Sequence, residues 1–184
     1  MPAQARPPRA LQIRWLALLV QALSLTGMVL VLLLPTLLWF SDDWLPSLVN
    51  SQWRLEGSEI HLDPRSRAFG LLGCSPAMLV ACWSLWRLWS LFRCYGRGDT
   101  FSVAPLRHLL GLARGILALS LLTPLANTAS VLALTWLNPP GHRQLMLGLS
   151  LQDYLVLLIG LVLLAIARVM REAARLAEEN AEFV

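Results

Sequence analysis

The stretch Trp15–Phe40 sets the tightest limit on what this chain can fold into: twenty-six residues, rich in Leu and Val, without one formal charge. A helix rises about 1.5 Å per residue, and about 20 mostly apolar residues cross the hydrocarbon of a bilayer. In lipid, a helix satisfies every backbone group within itself while its side chains meet a solvent of their own kind. A secretory signal peptide has an apolar region of only about 7–15 residues followed by a small-residue cleavage site. The run here is longer, and the SDDWLP that follows it is no such site, so it reads as a signal-anchor helix that stays in the protein.

Three more apolar runs follow, giving expected spans at about 15–40, 68–92, 106–137 and 151–170. They consume most of the 184 residues, of which only 14% are charged, against about 25% in an ordinary soluble domain. No room is left for a separate soluble domain. The expected fold is all-α: a single integral membrane bundle of four transmembrane helices. An outer loop spans 41–67, NPPGHRQ turns the chain at 138–144, and the last helix extends into a tail at 171–184.

Orientation follows from the link between the second and third runs. Trp86 to Leu110 carries Arg87, Arg93, Arg97, Arg107 and His108 against the single acid Asp99. Eleven arginines (Arg6, Arg9, Arg14, Arg87, Arg93, Arg97, Arg107, Arg114, Arg168, Arg171, Arg175) fall on the side of this link and the two termini. Four (Arg54, Arg65, Arg67, Arg143) fall on the other. By the positive-inside rule both termini are cytoplasmic, and the expected location is a bacterial inner membrane. Trp15, Trp86 and Trp89 would sit near the inner interface, and Trp39, Trp44 and Trp136 near the outer one. All fifteen basic residues are Arg and none is Lys, which codon bias in a GC-rich genome explains. The bilayer, with its anionic inner leaflet, is the expected partner for this charge rather than nucleic acid.

The outer loop holds five acids, Asp42, Asp43, Glu56, Glu59 and Asp63. Within it QWRLEGSEIHLDP alternates apolar residues around Gly57, compatible with a hairpin or with an interfacial helix.

Groups that would carry chemistry are sparse. There is no HExxH, GxSxG, Walker loop or paired intramembrane Asp, and His61, His108 and His142 read as residues of separate loops. No acid lies deep in any of the four spans; Asp153, the nearest candidate, sits at the outer end of the fourth, which disfavours a proton or cation relay. Neither an enzyme nor a cofactor is expected. Cys74, Met78 and Cys82 share one helix stripe, where copper(I) binding and simple packing compete and packing is favoured. Pro35, Pro76 and Pro124 interrupt spans; with Gln21, Asn127 and Gln152 they would line a small outward-open cavity or merely pack the bundle.

The basic side offers more. Trp83, Trp86, Arg87, Trp89 and Arg93 place indoles and guanidiniums at the inner end of the second helix, either as a ligand or headgroup site or as an interfacial belt. Arg114 lies two turns into the third span, and snorkelling is its simplest explanation. In GRGDTFS, Gly96 and Gly98 let the chain reverse and Phe101 packs back onto the bundle. Thr100 or Ser102 caps the third helix, with Pro105 in its first turn. At the C-terminus Arg168–Glu172 and Arg175–Glu179 are i,i+4 pairs, and Ile166, Met170, Ala173, Leu176 and Ala177 form an apolar stripe suited to a partner helix. The candidate partner-binding residues are Arg171, Arg175, Glu178, Glu179 and Glu182, basic near the lipid and acidic farther out.

The GRGDTFS element and the closing segment Leu161–Val184 together resemble a bacterial four-helix membrane family known as domain-of-unknown-function family 2975. Its members carry a Gly-x-x-Phe element after an aromatic-rich second helix, matched by Gly98 and Phe101. They end in a charged helix with a Glu-rich close and a final Val, matched by Glu178, Glu179 and Val184. The resemblance implies no established activity. It does imply a partner, because members are often encoded beside a small helix-turn-helix regulator that such a membrane protein would hold or tune. The alternative expectation is a membrane protein that binds or transports a small molecule or lipid.

Overall fold

In the computed structural model, residues 8–42, 63–99, 103–136 and 148–181 are described. They form four helices: α1 (Pro8–Phe40), α2 (Pro64–Gly96), α3 (Val103–Thr135) and α4 (Leu151–Ala181). No strand occurs among the described residues. All four helices are long and apolar enough to cross a membrane. Helices of 33 residues, such as the first three, run to about 50 Å against about 30 Å of hydrocarbon, so each overhangs its apolar centre.

Local chemistry sets the helix starts. Pro64 opens α2 after Asp63 at the N-cap position, and Pro105 lies buried in the first turn of α3. A first-turn N–H has no intrahelical acceptor, so proline costs nothing there. α4 begins with a capping box: the Ser150 hydroxyl accepts from the Asp153 N–H at 3.2 Å, while the Asp153 carboxylate accepts from the Ser150 N–H at 2.9 Å and hydroxyl at 2.7 Å. Asp153 is therefore a buried structural cap. Pro35, Pro76 and Pro124 lie inside helices that continue past them.

Chain neighbours pack antiparallel: α1 on α2, α2 on α3 and α3 on α4, with only glancing contact elsewhere among the described residues. α2 and α3 are the two inner helices, and of these α3 has the more buried residues. Of the exposed residues of α3, Val103, Arg107, Arg114, Leu121 and Leu125 recur at intervals of four and seven, and so form one ridge.

Packing in lipid relies on close approach, because the surroundings are as apolar as the interface. At Gly115 of α3 an added Cβ would overlap the Ser84 hydroxyl and stand 3.2 Å from the Trp83 ring, so no larger residue fits between α2 and α3. The buried hydroxyls bond to carbonyls of their own helices: Ser84 to Val80 at 2.7 Å, Ser130 to Ala126 at 2.8 Å, Thr135 to Val131 at 2.9 Å. Each thereby has a bond within its own helix. Cys74 meets the Ser130 hydroxyl of α3 at 3.2 Å, whereas Cys82 points to the Met28 carbonyl of α1 at 4.0 Å. The two thiols thus face different neighbours.

The end of the bundle remote from the α2–α3 link is locked by Trp39, which is 1% exposed and packs over Gly70. Arg67 donates to the Trp39 carbonyl at 3.4 Å and pairs with the Asp42 carboxylate, placing a cation at the C-terminal end of α1. Trp39 lies at the span end expected of it, and there it is a packing residue buried between α1 and α2. Trp136 stays exposed at that end. Trp44 and the hairpin-or-helix segment of the 41–67 loop lie outside the described residues.

Candidate interaction surface at the basic end

Antiparallel neighbours bring the N-termini of α1 and α3 and the C-termini of α2 and α4 to one end. Arg14, Arg87, Arg93, Arg97, Arg107, Arg114, Arg168, Arg171 and Arg175 gather toward it, whereas Arg65 and Arg67 stand at the other. The link opens with a Schellman motif: the Gly98 N–H donates to the Tyr95 carbonyl at 3.0 Å and the Asp99 N–H to the Cys94 carbonyl at 3.1 Å. Gly98 has φ +86°, a conformation that side-chain-bearing residues rarely adopt. Thr100, Phe101 and Ser102 fall outside the described residues.

On α2, arginines lie over indoles one turn earlier, Arg87 over Trp83 and Arg93 over Trp89, each 5.0 Å from the ring centre. Trp86 and Trp89 stack at 5.1 Å. Each cation–π contact contributes about 0.5–2 kcal/mol, more when desolvated. Arg87 turns into the α2–α3 interface, where a Cβ on Gly111 would stand 3.0 Å from its side chain. Its Nε and the Nδ1 of His108 are buried without a hydrogen-bond partner among the described groups. His108, read from sequence as a loop residue, lies within α3.

Three helices converge just below. Leu91 of α2, Leu109 of α3 and Ala167 of α4 form a buried cluster, joined by Phe92, Tyr95, Leu110, Leu163 and Met170. Met170 thus faces inward and does not belong to the outward stripe expected of it. The ridge that α4 leaves exposed is Ile166, Val169, Ala173 and Leu176, with Val169 69% accessible. Arg175 pairs with Glu172 at 2.5 Å and Glu179 at 3.3 Å. The expected Arg168–Glu172 pair gives way to the shorter-spaced Arg175–Glu172 pair. The side chains of Ala177, Glu178 and Glu182 lie outside the described residues.

Between α3 and α4 the basic end holds a groove of about 520 Å³. Arg107 on one wall faces Arg171, Glu172 and Arg175 on the other, above an apolar floor of Val103, Leu106, Leu110 and Ala174. Of the partner-binding residues expected from sequence, Arg171 and Arg175 meet here, and Glu179 reaches Arg175 from one turn on. Sequence reading missed the meeting of Arg107 with the tail arginines. Aligning the basic ends of the third and fourth spans as antiparallel neighbours is the signal that would have found it.

At the opposite end Phe69, Ala129, Leu132, Ala133 and Trp136 line an apolar pocket of about 310 Å³. Gln21, Asn127 and Gln152 do not converge on it: Asn127 and Gln152 are exposed, and Gln21 lies near Gly96 at the basic end. The outward cavity that they would line is not formed by them.

Four apolar helices, with arginines collected at one end and neutral packing between, define a multi-pass α-helical membrane protein. Residues 13–184 match the family described as Protein of unknown function (DUF2975), and the chain belongs to that family. No curated protein sequence and no solved structure matches it.

Proposed function

We propose that this chain is a membrane-held regulatory partner that engages a small cytoplasmic helix-turn-helix transcription factor through the tail of α4. The supporting observation is that α4 runs unbroken through 31 residues, Leu151–Ala181, about 46 Å against about 30 Å of hydrocarbon. About three turns therefore stand clear of the apolar layer, where the exposed ridge ends at Leu176 and Glu172 and Glu179 stay at the surface. An apolar ridge flanked by charge is the form in which one helix offers itself to another. With Glu178 and Glu182 the tail is acidic, complementary to the basic surface that a DNA-binding regulator presents to phosphate. Held there, the regulator is kept from its operators, and a change in the bundle releases it. In this proposal both termini lie in the cytoplasm of a bacterial inner membrane, and the chain itself contacts no nucleic acid and performs no catalytic step.

The test is deletion of Leu176–Val184. The packed part of α4 ends by Met170 and Ala174, so the shortened chain is expected to melt within a few degrees of the full one. It should lose capture of a co-expressed helix-turn-helix regulator, and transcription of the genes under that regulator should change. A shortened chain that folds, still captures the regulator and leaves transcription unchanged contradicts the proposal.

A further inference from the structure

We infer that the groove between the basic ends of α3 and α4 is a binding site for the headgroup phosphate of one anionic phospholipid. Three guanidiniums, Arg107, Arg171 and Arg175, line it against one carboxylate, Glu172. Glu172 is already held by Arg175, which also holds Glu179. Arg107 and Arg171 have no carboxylate partner among the described residues, so the groove keeps two uncommitted forks, one on each helix. A planar guanidinium matches phosphate oxygens two at a time, and charge-assisted bonds of this kind are about twice as strong as neutral ones.

Two features select a lipid over a dissolved anion. First, the floor is apolar, with Val103, Leu106 and Leu110 supplied by a helix that goes on to cross the membrane. That surface suits the glycerol and first methylenes of an acyl chain and gives nothing to inorganic phosphate. Second, Arg114 stands exposed on the same ridge of α3 as Arg107, seven residues and so about 10 Å deeper. A guanidinium on the outer surface of a span is costly without an anionic partner. Side chains on a helix lean toward its N-terminus, which on α3 is toward Arg107 and the groove. A phospholipid seated at Arg107 and Arg171 brings its phosphate down to meet Arg114 from above.

The experiment uses the full-length protein in neutral detergent and follows its melting temperature and its mass in native mass spectrometry. Phosphatidylglycerol is expected to raise the melting temperature saturably and to leave one lipid bound, while phosphatidylcholine and millimolar inorganic phosphate do neither. The double variant R107Q/R171Q should weaken retention by about tenfold or more, the equilibrium equivalent of one lost charge-assisted contact. R14Q/R97Q removes equal charge from exposed positions at the same end outside the groove and should retain lipid as the parent does. If the double variant melts early without lipid, R107Q and R171Q are read singly against their own lipid-free baselines. Stabilisation by phosphate or phosphatidylcholine equal to that by phosphatidylglycerol overturns the assignment. Equal loss in both double variants, or undiminished retention in R107Q/R171Q, overturns it as well. The tail deletion above leaves Arg107 and Arg171 in place, so a failed regulator contact and a failed lipid site give separate results.

Discussion

Trp39 and Gly70 show how much a single pair settles in a bundle whose surroundings are as apolar as its interior. The indole is buried by lying where Gly70 has no side chain, and a Cβ added there falls within the ring. Backbone on one side and a rigid ring on the other leave little room to yield. Gly70→Ala is therefore expected to destabilise the protein by about 1–3 kcal/mol, the range for overpacking a close contact, read as a lower midpoint of thermal unfolding in detergent. An unchanged midpoint would mean that α1 and α2 separate easily at this end. Sequence alone marked Trp39 as apolar and near the outer interface at a span end, without saying which neighbour it packs against. What it could not supply was the register of α1 against α2, which sets Gly70 opposite the ring. Arg107 was hidden for the same reason: a charge at a span end is legible, but its neighbour across the bundle depends on register.

Among the elements, the helices themselves were the most legible, because predominantly apolar runs of this length have one stable conformation in lipid. The facing of each helix was less so. In α4 the spacing Ile166, Met170, Ala173, Leu176 describes an apolar stripe, yet the structure turns Met170 into the cluster with Leu91 and Leu109 and leaves Val169 outside. Nearly every position of a membrane helix is apolar, so periodicity does not tell a neighbour-facing side from a lipid-facing one. The start of α4 rests on firmer local chemistry. Ser150→Ala removes the hydroxyl that both accepts from Asp153 N–H and donates to its carboxylate, and is expected to cost about 1 kcal/mol. Hydrogen exchange should show faster opening of the first turn of α4 alone; protection equal to that of the parent would mean that the capping box is dispensable.

At the scale of the whole molecule, the helices pack in chain order, with α2 and α3 as the inner pair and α1 and α4 as the flanks. One end collects Arg14, Arg87, Arg93, Arg97, Arg107, Arg114, Arg168, Arg171 and Arg175, and the other holds Arg65 and Arg67. The proposed regulator contact and the proposed lipid site both require the arginine-rich end to face the cytoplasm, so topology is the claim on which the account rests. The measurement is a pair of reporter fusions active only outside the cytoplasm, one joined after Val184 and one inserted in the 41–67 loop. The account predicts an inactive reporter after Val184 and an active one in the loop. Activity after Val184 with none in the loop would invert the molecule and contradict the account, and activity at both positions would contradict the three crossings that separate the loop from Val184.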